Sequence, residues 1–544
     1  MDLFSFEELD VQESHKKIHE TPLREQIKDL EHHPIPNRAL INYDNYQDFI
    51  GISMVKNTIV MQATRGCPYT CAYCHKIWPK SHVRRPAEHI FNEMKMYYDL
   101  GYRRFAFVDD IFNLDKENSS RFFQMILDNN MKVHIFFPNG MRGDILTKEY
   151  IDLMVKAGVV ELPLALETAT PRLQKLIGKN LNIDRLKENL EYISTTYPHV
   201  ILELFTIHGI PTETEEEAYN TYNFINSIKW LHFPYINILR LYPGTELANI
   251  AMEHGITLEQ IEEATCLAFH EIPDTIPFSK GFTRAYQSKL LYGYILNKER
   301  LQKVIPLQRR IMTEDEMVQK YNSYFPFEVN NFDFILETAG LTREDLNDEE
   351  FVDDSWGYVE HPHEKMSHLF TVPEPEENAL RVLFLDLSQF FTDKNNNKLY
   401  DLVETPLGHM YLLTYLYEKL GGAVEGKILK SRIDFNSYEA MKEEIEKYQP
   451  DVIGIRTLTY HKEFFQESVR YIRKMGYDKI IIAGGPYATS SYEELMQENE
   501  VDIVSRGEGE VTTYELMKAI IDNDKKLPDK EVLSQIKGIV YRED

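Results

Sequence analysis

The chain has 544 residues, 43% of them hydrophobic and 27% charged, a globular balance that excludes a wholly disordered or low-complexity protein. It exceeds the roughly 250–300 residues that one hydrophobic core supports, so two or more domains are expected. With 60 Lys plus Arg against 87 Asp plus Glu the formal charge is −27, the opposite of the footprint of a generic nucleic-acid binder.

Residues 1–57 read as an N-terminal extension and linker. The opening MDLFSFEELDVQESHKKIHE has early acids and no apolar run, so it is neither a secretory signal nor a transit sequence. No stretch approaches the ~20 apolar residues of a membrane span, and a cytoplasmic protein is the expectation. Over residues 58–255, the runs TIVMQAT, RRFAFVD, KVHIFFP, VELPLAL, VILELFTIHG and YINILRL alternate with amphipathic stretches such as AEHIFNEMKMYYDLG. They read as parallel strands in βα units, and their number favours a partial (β/α)6 TIM-like barrel over an eight-stranded one. Chemistry in such folds collects at the carboxyl ends of strands, where Asp109, Asp110, Asn139, Glu167 and His208 lie.

Residues 256–370 read as a mainly helical region and linker, with a polar helical stretch over 283–310 that suits a surface or interdomain helix. VPEPEEN belongs to an acidic, Pro-containing linker. Residues 380–544 form the second α/β unit, with RVLFLDL, DVIGIRT, KIIIAGG and VDIVSRGEGE as strand and Gly-turn patterns and TPLGHMYLLTYLYEKLGG as a helix closed by Gly. This is a Rossmann-like, doubly wound domain.

Of only four Cys, three stand together in Arg65-Gly66-Cys67-Pro68-Tyr69-Thr70-Cys71-Ala72-Tyr73-Cys74. Thiolates at this spacing converge from a tight loop on one iron–sulfur cluster and leave one iron open to an external ligand. A zinc site completed by His75 is the metal alternative. Cys266 reads as a small hydrophobe rather than a fourth ligand.

RGCPYTCAYC resembles the signature of radical S-adenosylmethionine enzymes. The resemblance implies that Cys67, Cys71 and Cys74 hold a 4Fe–4S cluster whose fourth iron is chelated by S-adenosylmethionine, which is reductively cleaved to a deoxyadenosyl radical. It also implies that Tyr73 contacts the adenine. LALETATPRLQKLIGK is similar to the family's fourth-strand stretch and makes Glu167 a cofactor-facing residue. FTIHGIPTETEEE resembles the fifth-strand turn, with Gly209 and Pro211 matching, and ILRLYPGTEL resembles the sixth-strand motif. FVDDIF and MRGDIL resemble segments of the cobalamin-binding branch. Asp109, Asp110, Arg142 and His208 are the catalytic candidates. For three of them a plainer role stands beside it: helix capping or solvent binding for the acids and a structural pair with Asp144 for Arg142.

The C-terminal set resembles the cobalamin-binding domain of cobalamin-dependent radical enzymes. Matching positions are Pro406, Leu407, Gly408, Gly454, Thr459, Gly484, Gly485, Pro486, Arg506, Gly507, Glu508 and Gly509. No Asp-x-His-x-x-Gly segment is present, so the resemblance implies base-off cobalamin without an axial histidine. Arg456 and Tyr487 depart from the family pattern and would crowd the nucleotide pocket. The domain order is also reversed relative to most members, which implies a circular permutation that packs the N-terminal linker against the C-terminal domain.

The resemblance thus implies a radical enzyme using a 4Fe–4S cluster, S-adenosylmethionine and cobalamin, with methyl transfer to an unactivated carbon of a small molecule or peptide as the leading activity. A flavodoxin- or ferredoxin-like reductant is the implied partner, and neither a membrane nor a nucleic acid is expected. Cyclisation or rearrangement, a cofactor-free C-terminal domain, and an iron–sulfur electron-transfer protein stand as alternatives. HEIPDTIPFSKGF is the expected substrate-lining segment.

Overall fold

The computed structural model describes residues 17–75, 80–267, 271–346, 351–392, 404–498 and 500–543. The readings for residues 1–16 and for His270 therefore lie outside the described residues. Among the described residues no helix is long and apolar enough to cross a membrane.

The first strand, β1 (Ile18–Glu20), belongs to the C-terminal sheet described below. β2 (Thr58–Met61) opens the first α/β unit and is followed by an antiparallel ribbon, β3 (Thr64–Arg65) with β4 (Val83–Arg84), whose intervening loop carries the cysteines. β2, β5 (Arg104–Phe107) and β6 (His134–Phe136) form one parallel sheet. β7 (Glu161–Glu167), β8 (Ile201–His208) and β9 (Phe233–Ile238) form another. Parallel bridges Ile135↔Val159 and Met141↔Leu164 join the two edges, so all six expected runs are strands. The connecting helices Lys116–Asp128, Lys148–Lys156, Ile183–Thr196 and Glu215–Ser227 begin at Asp115, Thr147, Asn182 and Thr214, whose side chains accept from backbone N–H groups of the first turn. Thr214 and Glu217 complete a capping box.

The region after β9 corrects one expectation. The stretch over 283–310 is not one surface helix: helices Lys280–Leu290 and Lys298–Gln308 are separated by a π turn at Leu291–Ile295, and Leu301, Val304 and Ile305 are buried. Arg300 donates to the carbonyls of Leu231 and His232, both at 2.9 Å, and so ties this region to the strand layer. The next helix, Glu314–Tyr324, sends Lys320 beneath the sheet, where its Nζ lies 2.6 Å from Glu203 and 4.0 Å from Glu161, near the amino ends of β8 and β7. All three side chains are buried, and Glu316 of the same helix pairs with buried Arg104. The helical region is therefore the floor of the strand layer.

The second unit is a seven-stranded sheet in the order β1-β15-β14-β13-β12-β10-β11, from β10 (Leu380–Asp386), β11 (Val424–Lys430), β12 (Val452–Arg456), β13 (Ile480–Gly484), β14 (Ile503–Ser505) and β15 (Ile539–Arg542). β10 to β14 are parallel, while β15 and β1 run antiparallel at the edge. Val382, Phe384, Val452 and Ile482 pack on one face and Leu383, Leu385, Ile453 and Ile481 on the other, as apolar runs covered on both faces do. β1 pairs Ile18, His19 and Glu20 with Arg542, Tyr541 and Val540, which places the N-terminal segment against the C-terminal domain as the permutation reading expects.

Candidate active site and domain junction

The cysteine loop is fixed from below by two acids at the end of β5. Asp109 Oδ1 accepts from Ala63 N at 3.0 Å, from Thr64 N and from Thr64 Oγ1 at 2.7 Å, and Asp110 Oδ2 accepts from Gly66 N at 3.0 Å. Burial pushes the Asp109 carboxyl up to about 7 despite these bonds, and raises Asp110 as well. Both acids are thus bonded to the backbone that leads into Cys67. Gly66 has φ +81, and a Cβ there would sit 2.5 Å from Ser81 O, so the turn into Cys67 requires glycine. Ala72 N donates to Ile177 O at 2.8 Å and Leu247 N to Ala72 O at 2.9 Å, which pins the far side of the loop.

Burial raises the Cys67 and Cys74 thiols. The three Sγ atoms do not all lie within 4.8 Å of one another. One tetrahedral zinc with Zn–S of ~2.3 Å would hold its sulfurs under about 4 Å apart. Cys266 lies at the end of helix Leu258–Thr265, half-buried rather than in the core. Its thiol, pushed up to about 11 by burial and by Glu463 of the C-terminal domain, is separate from the trio.

Beside the loop, Tyr73 OH donates to Glu167 Oε1 at 2.9 Å, and Lys179 Nζ lies 2.6 Å from the same oxygen. Glu167 stands at φ +65, where the β7–β8 register shifts, and this bulge re-aims its side chain toward the cysteine loop. Lys179 is a site residue that sequence reasoning passed over. Its only signal is a cation after the Leu-Ile-Gly turn of the same motif, twelve positions beyond the acid.

Arg142 is bound inward: its guanidinium forks onto Asp144 at 2.9 and 3.2 Å, donates to Lys179 O at 3.0 Å, and lies 4.3 Å from the Tyr69 ring. It links the cysteine loop to the Lys179 turn, and the structural pair with Asp144 is present. Gly209 N and Ile210 N donate to Glu213 Oε2 at 2.7 and 3.1 Å, and burial pushes Glu213 up to about 7. Pro211, buried, completes that turn. His208 is stacked between Phe278 and Tyr286, with centroids 4.7 and 4.6 Å away, and its Nε2 lies 3.2 Å from Thr283 Oγ1. Burial lowers its imidazole to about 4, so the ring is neutral. Ile276 and Phe278 of the expected lining segment thus close over the end of β8.

At the carboxyl ends of the C-terminal strands, Gly408 and Gly507 have open space where a Cβ would stand, and Gly484 has no neighbour nearer than 3.9 Å. Pro406 and Leu407 start the helix Leu407–Leu420, and Gly485 and Pro486 start the short helix after β13. A Cβ at Gly454 would meet Phe384 at 2.8 Å and one at Gly509 would meet Leu412 at 2.8 Å, so those two glycines serve packing. Thr459 Oγ1, His409 Nδ1 and His461 Nδ1 are buried without a partner. Open glycines beside unsatisfied polar atoms fit a broad ring with polar side groups. Arg456 pairs with Asp386 at 2.8 Å and lies across Gly485, while Lys430 Nζ reaches Asp386 at 3.1 Å, a charge cluster that sequence reasoning missed. Tyr487 is fully buried and accepts from Gln466 at 3.2 Å, so it fills core rather than crowding a pocket. Arg506 pairs with Glu20 at 2.6 Å, and Glu508 meets Arg65 of the cysteine loop at 3.3 Å.

Residues 61–225 match the Radical SAM superfamily and residues 400–517 match the B12 binding domain. The chain joins a radical SAM domain to a C-terminal B12-binding domain. This is the architecture of cobalamin-dependent radical SAM enzymes, and its cofactors are a 4Fe–4S cluster, S-adenosylmethionine and cobalamin. Over 250 residues the chain is 24% identical to an uncharacterized methyltransferase of Pyrococcus horikoshii, covering 44% of this chain and 51% of that protein. It is 26% identical over 194 residues to the bacteriochlorophyllide d C-12(1)-methyltransferase of Chlorobaculum tepidum (34% and 41% covered). It is 25% identical over 212 residues to the anaerobic magnesium-protoporphyrin IX monomethyl ester cyclase of Rubrivivax gelatinosus (38% and 36% covered). The chain thus spans about half or less of the length of these relatives. Among solved structures it is similar to the radical S-adenosylmethionine methyltransferase TsrM from Kitasatospora setae, at 15% identity and TM-score 0.34 over 39% of this chain and 40% of that one.

Proposed function

We propose that this enzyme transfers a methyl group to an unactivated carbon of a small molecule or peptide, drawing electrons from a flavodoxin- or ferredoxin-like reductant. The observation that carries the reading is the junction of the two cofactor-binding units: the loop of Cys67, Cys71 and Cys74 touches Glu167, which Lys179 also holds, on one side and, through Arg65, Glu508 of the C-terminal domain on the other. When bound, the cofactors supply one-electron reduction, hydrogen abstraction and a transferable methyl group. The six strands act as one partial barrel whose carboxyl ends face this junction.

Each side chain then has a defined task. Cys67, Cys71 and Cys74 ligate the cluster, and Asp109 and Asp110 hold their loop in place. Glu167 and Lys179 present a carboxylate and an ammonium side by side, complementary to the amino and carboxylate groups of an amino acid. Tyr73 orients Glu167, and Glu213 holds the Gly209 turn with its two accepted hydrogen bonds. His208 stays neutral within its aromatic stack and helps to keep that wall dry. Gly408, Gly484, Gly507 and Thr459 form the C-terminal cradle.

The test is anaerobic turnover with methyl-labelled S-adenosylmethionine and a fractionated pool of small molecules and peptides. Methyl transfer yields S-adenosylhomocysteine, deoxyadenosine and a labelled product together. Deoxyadenosine with an unlabelled, rearranged product favours the cyclase-type reading, which the similarity to the Rubrivivax cyclase supports.

A further inference from the structure

Arg65 joins the cysteine loop to the C-terminal domain through two carboxylates. It ends β3, two positions before Cys67, and is 5% exposed. Its guanidinium lies 3.3 Å from Glu508 and 2.7 Å from Glu510, its Nε donates to Gln62 at 3.3 Å, and it sits 5.0 Å from the Tyr411 ring. Glu508 also accepts from Ile27 N at 2.5 Å, and Glu510 meets His33 at 3.2 Å. Glu508, Glu510 and His33 are all buried. One fork therefore clamps three parts of the chain: the cysteine loop, the Gly-rich turn after β14, and the N-terminal segment whose β1 completes the C-terminal sheet. A guanidinium's planar fork reaches two carboxylates and an amide oxygen in fixed directions, whereas the donors of an ammonium radiate from one rotatable nitrogen.

We propose that Arg65 is a positioning residue that sets the distance between the cluster and the corrinoid through Glu508 and Glu510. The proposal rests on the two-cofactor reading and adds to it the group that fixes the relative placement of the cofactors. Buried, mutually satisfied charges have one good geometry, whereas an apolar contact here would let the units slide by an ångström or more, enough to matter for reacting groups.

The experiment uses the full chain loaded with both cofactors and reduced so that the cluster and cob(II)alamin are each paramagnetic. Their dipolar coupling in frozen solution reports the distance between them. Wild type should give one narrow distance distribution. Arg65→Met should at least double its width at unchanged iron and corrinoid content, Glu510→Gln should broaden it less, and Arg65→Lys should restore it in part. Arg343→Met, which removes an exposed pair with Glu314 and Asp333, should leave it unchanged. If Arg65→Met does not load both cofactors, Glu510→Gln and Arg65→Lys decide the matter. A distribution unmoved in the loaded variants overturns the proposal alone. A wild-type protein that retains no corrinoid overturns the two-cofactor reading, and this proposal with it.

Discussion

Asp109→Ala is the sharpest local perturbation of the cysteine loop. It removes one buried oxygen that serves three donors: Ala63 N, Thr64 N and Thr64 Oγ1. The threonine hydroxyl keeps a second acceptor, Ile111 O at 3.3 Å, so two backbone N–H groups are left stranded. At ~1–3 kcal/mol for each buried orphan the loss is about 2–6 kcal/mol. The lower half of that range is expected, because burial already holds the Asp109 carboxyl up to about 7 and its removal recovers part of that penalty. Asp109→Asn keeps all three bonds on Oδ1 and only puts an amide nitrogen where Oδ2 stands buried without a partner, a cost of about 1–2 kcal/mol. The assay is iron bound per chain after anaerobic reconstitution, beside the urea midpoint. The alanine variant should lose most of its iron and the asparagine variant little. An alanine variant with wild-type iron and an unmoved midpoint refutes the anchoring role.

Three further groups of the first unit give equally definite outcomes. Glu167→Gln and Lys179→Met should keep the cluster but weaken S-adenosylmethionine at least about tenfold, the equivalent of ~1.4 kcal/mol, read as loss of the cofactor-induced change in the reduced cluster's EPR spectrum; an unchanged response argues against their role. Lys320→Met leaves Glu161 and Glu203 buried without a cation and should cost ~3–5 kcal/mol, partly recovered by adding Glu203→Gln; a loss under about 1 kcal/mol would show that the helical floor is not held by this pair. Glu213 has a folded-state value of about 7, above its unfolded one, so its contribution is full below about pH 4.5 and is lost as pH rises through 7. Glu213→Gln should flatten that slope, worth up to about 3 kcal/mol, in denaturation curves taken from pH 4 to 8, and a slope equal to wild type would place the proton elsewhere.

What the sequence made legible was whatever is written locally. Six apolar runs in the first unit are strands, most of them largely buried and β9 least so, and the cysteine loop is visible because its spacing is a chemical requirement. β1, with only Ile18, His19 and Glu20, has no periodicity to read and exists through its pairing with Tyr541. β11 was missed because VEGKILK is an edge strand whose first half is only partly buried. The polar look of 283–310 misled because its other face is apolar and buried and one of its charges is satisfied inside: Arg300 donates to the carbonyls of Leu231 and His232, at positions far away in sequence. The site divides in the same way. Glu167 was found through its motif, while Lys179 and Arg65 gain meaning only from partners that folding brings to them. Asp109, Asp110 and Arg142 stood at the right strand ends, but which way they point is a tertiary property: Asp109 is buried beneath the loop, Arg142 is turned onto Asp144, and Asp110 is exposed with one oxygen on Gly66 N.

The central claim is that one chain holds an iron–sulfur cluster and a corrinoid at a common junction. Anaerobic purification with iron, sulfide and hydroxocobalamin supplied, followed by desalting and quantification of both, tests it most directly. About four irons and one corrinoid per chain are predicted, with iron lost in Cys71→Ala. Four irons without retained corrinoid, or zinc in place of iron, would contradict the account.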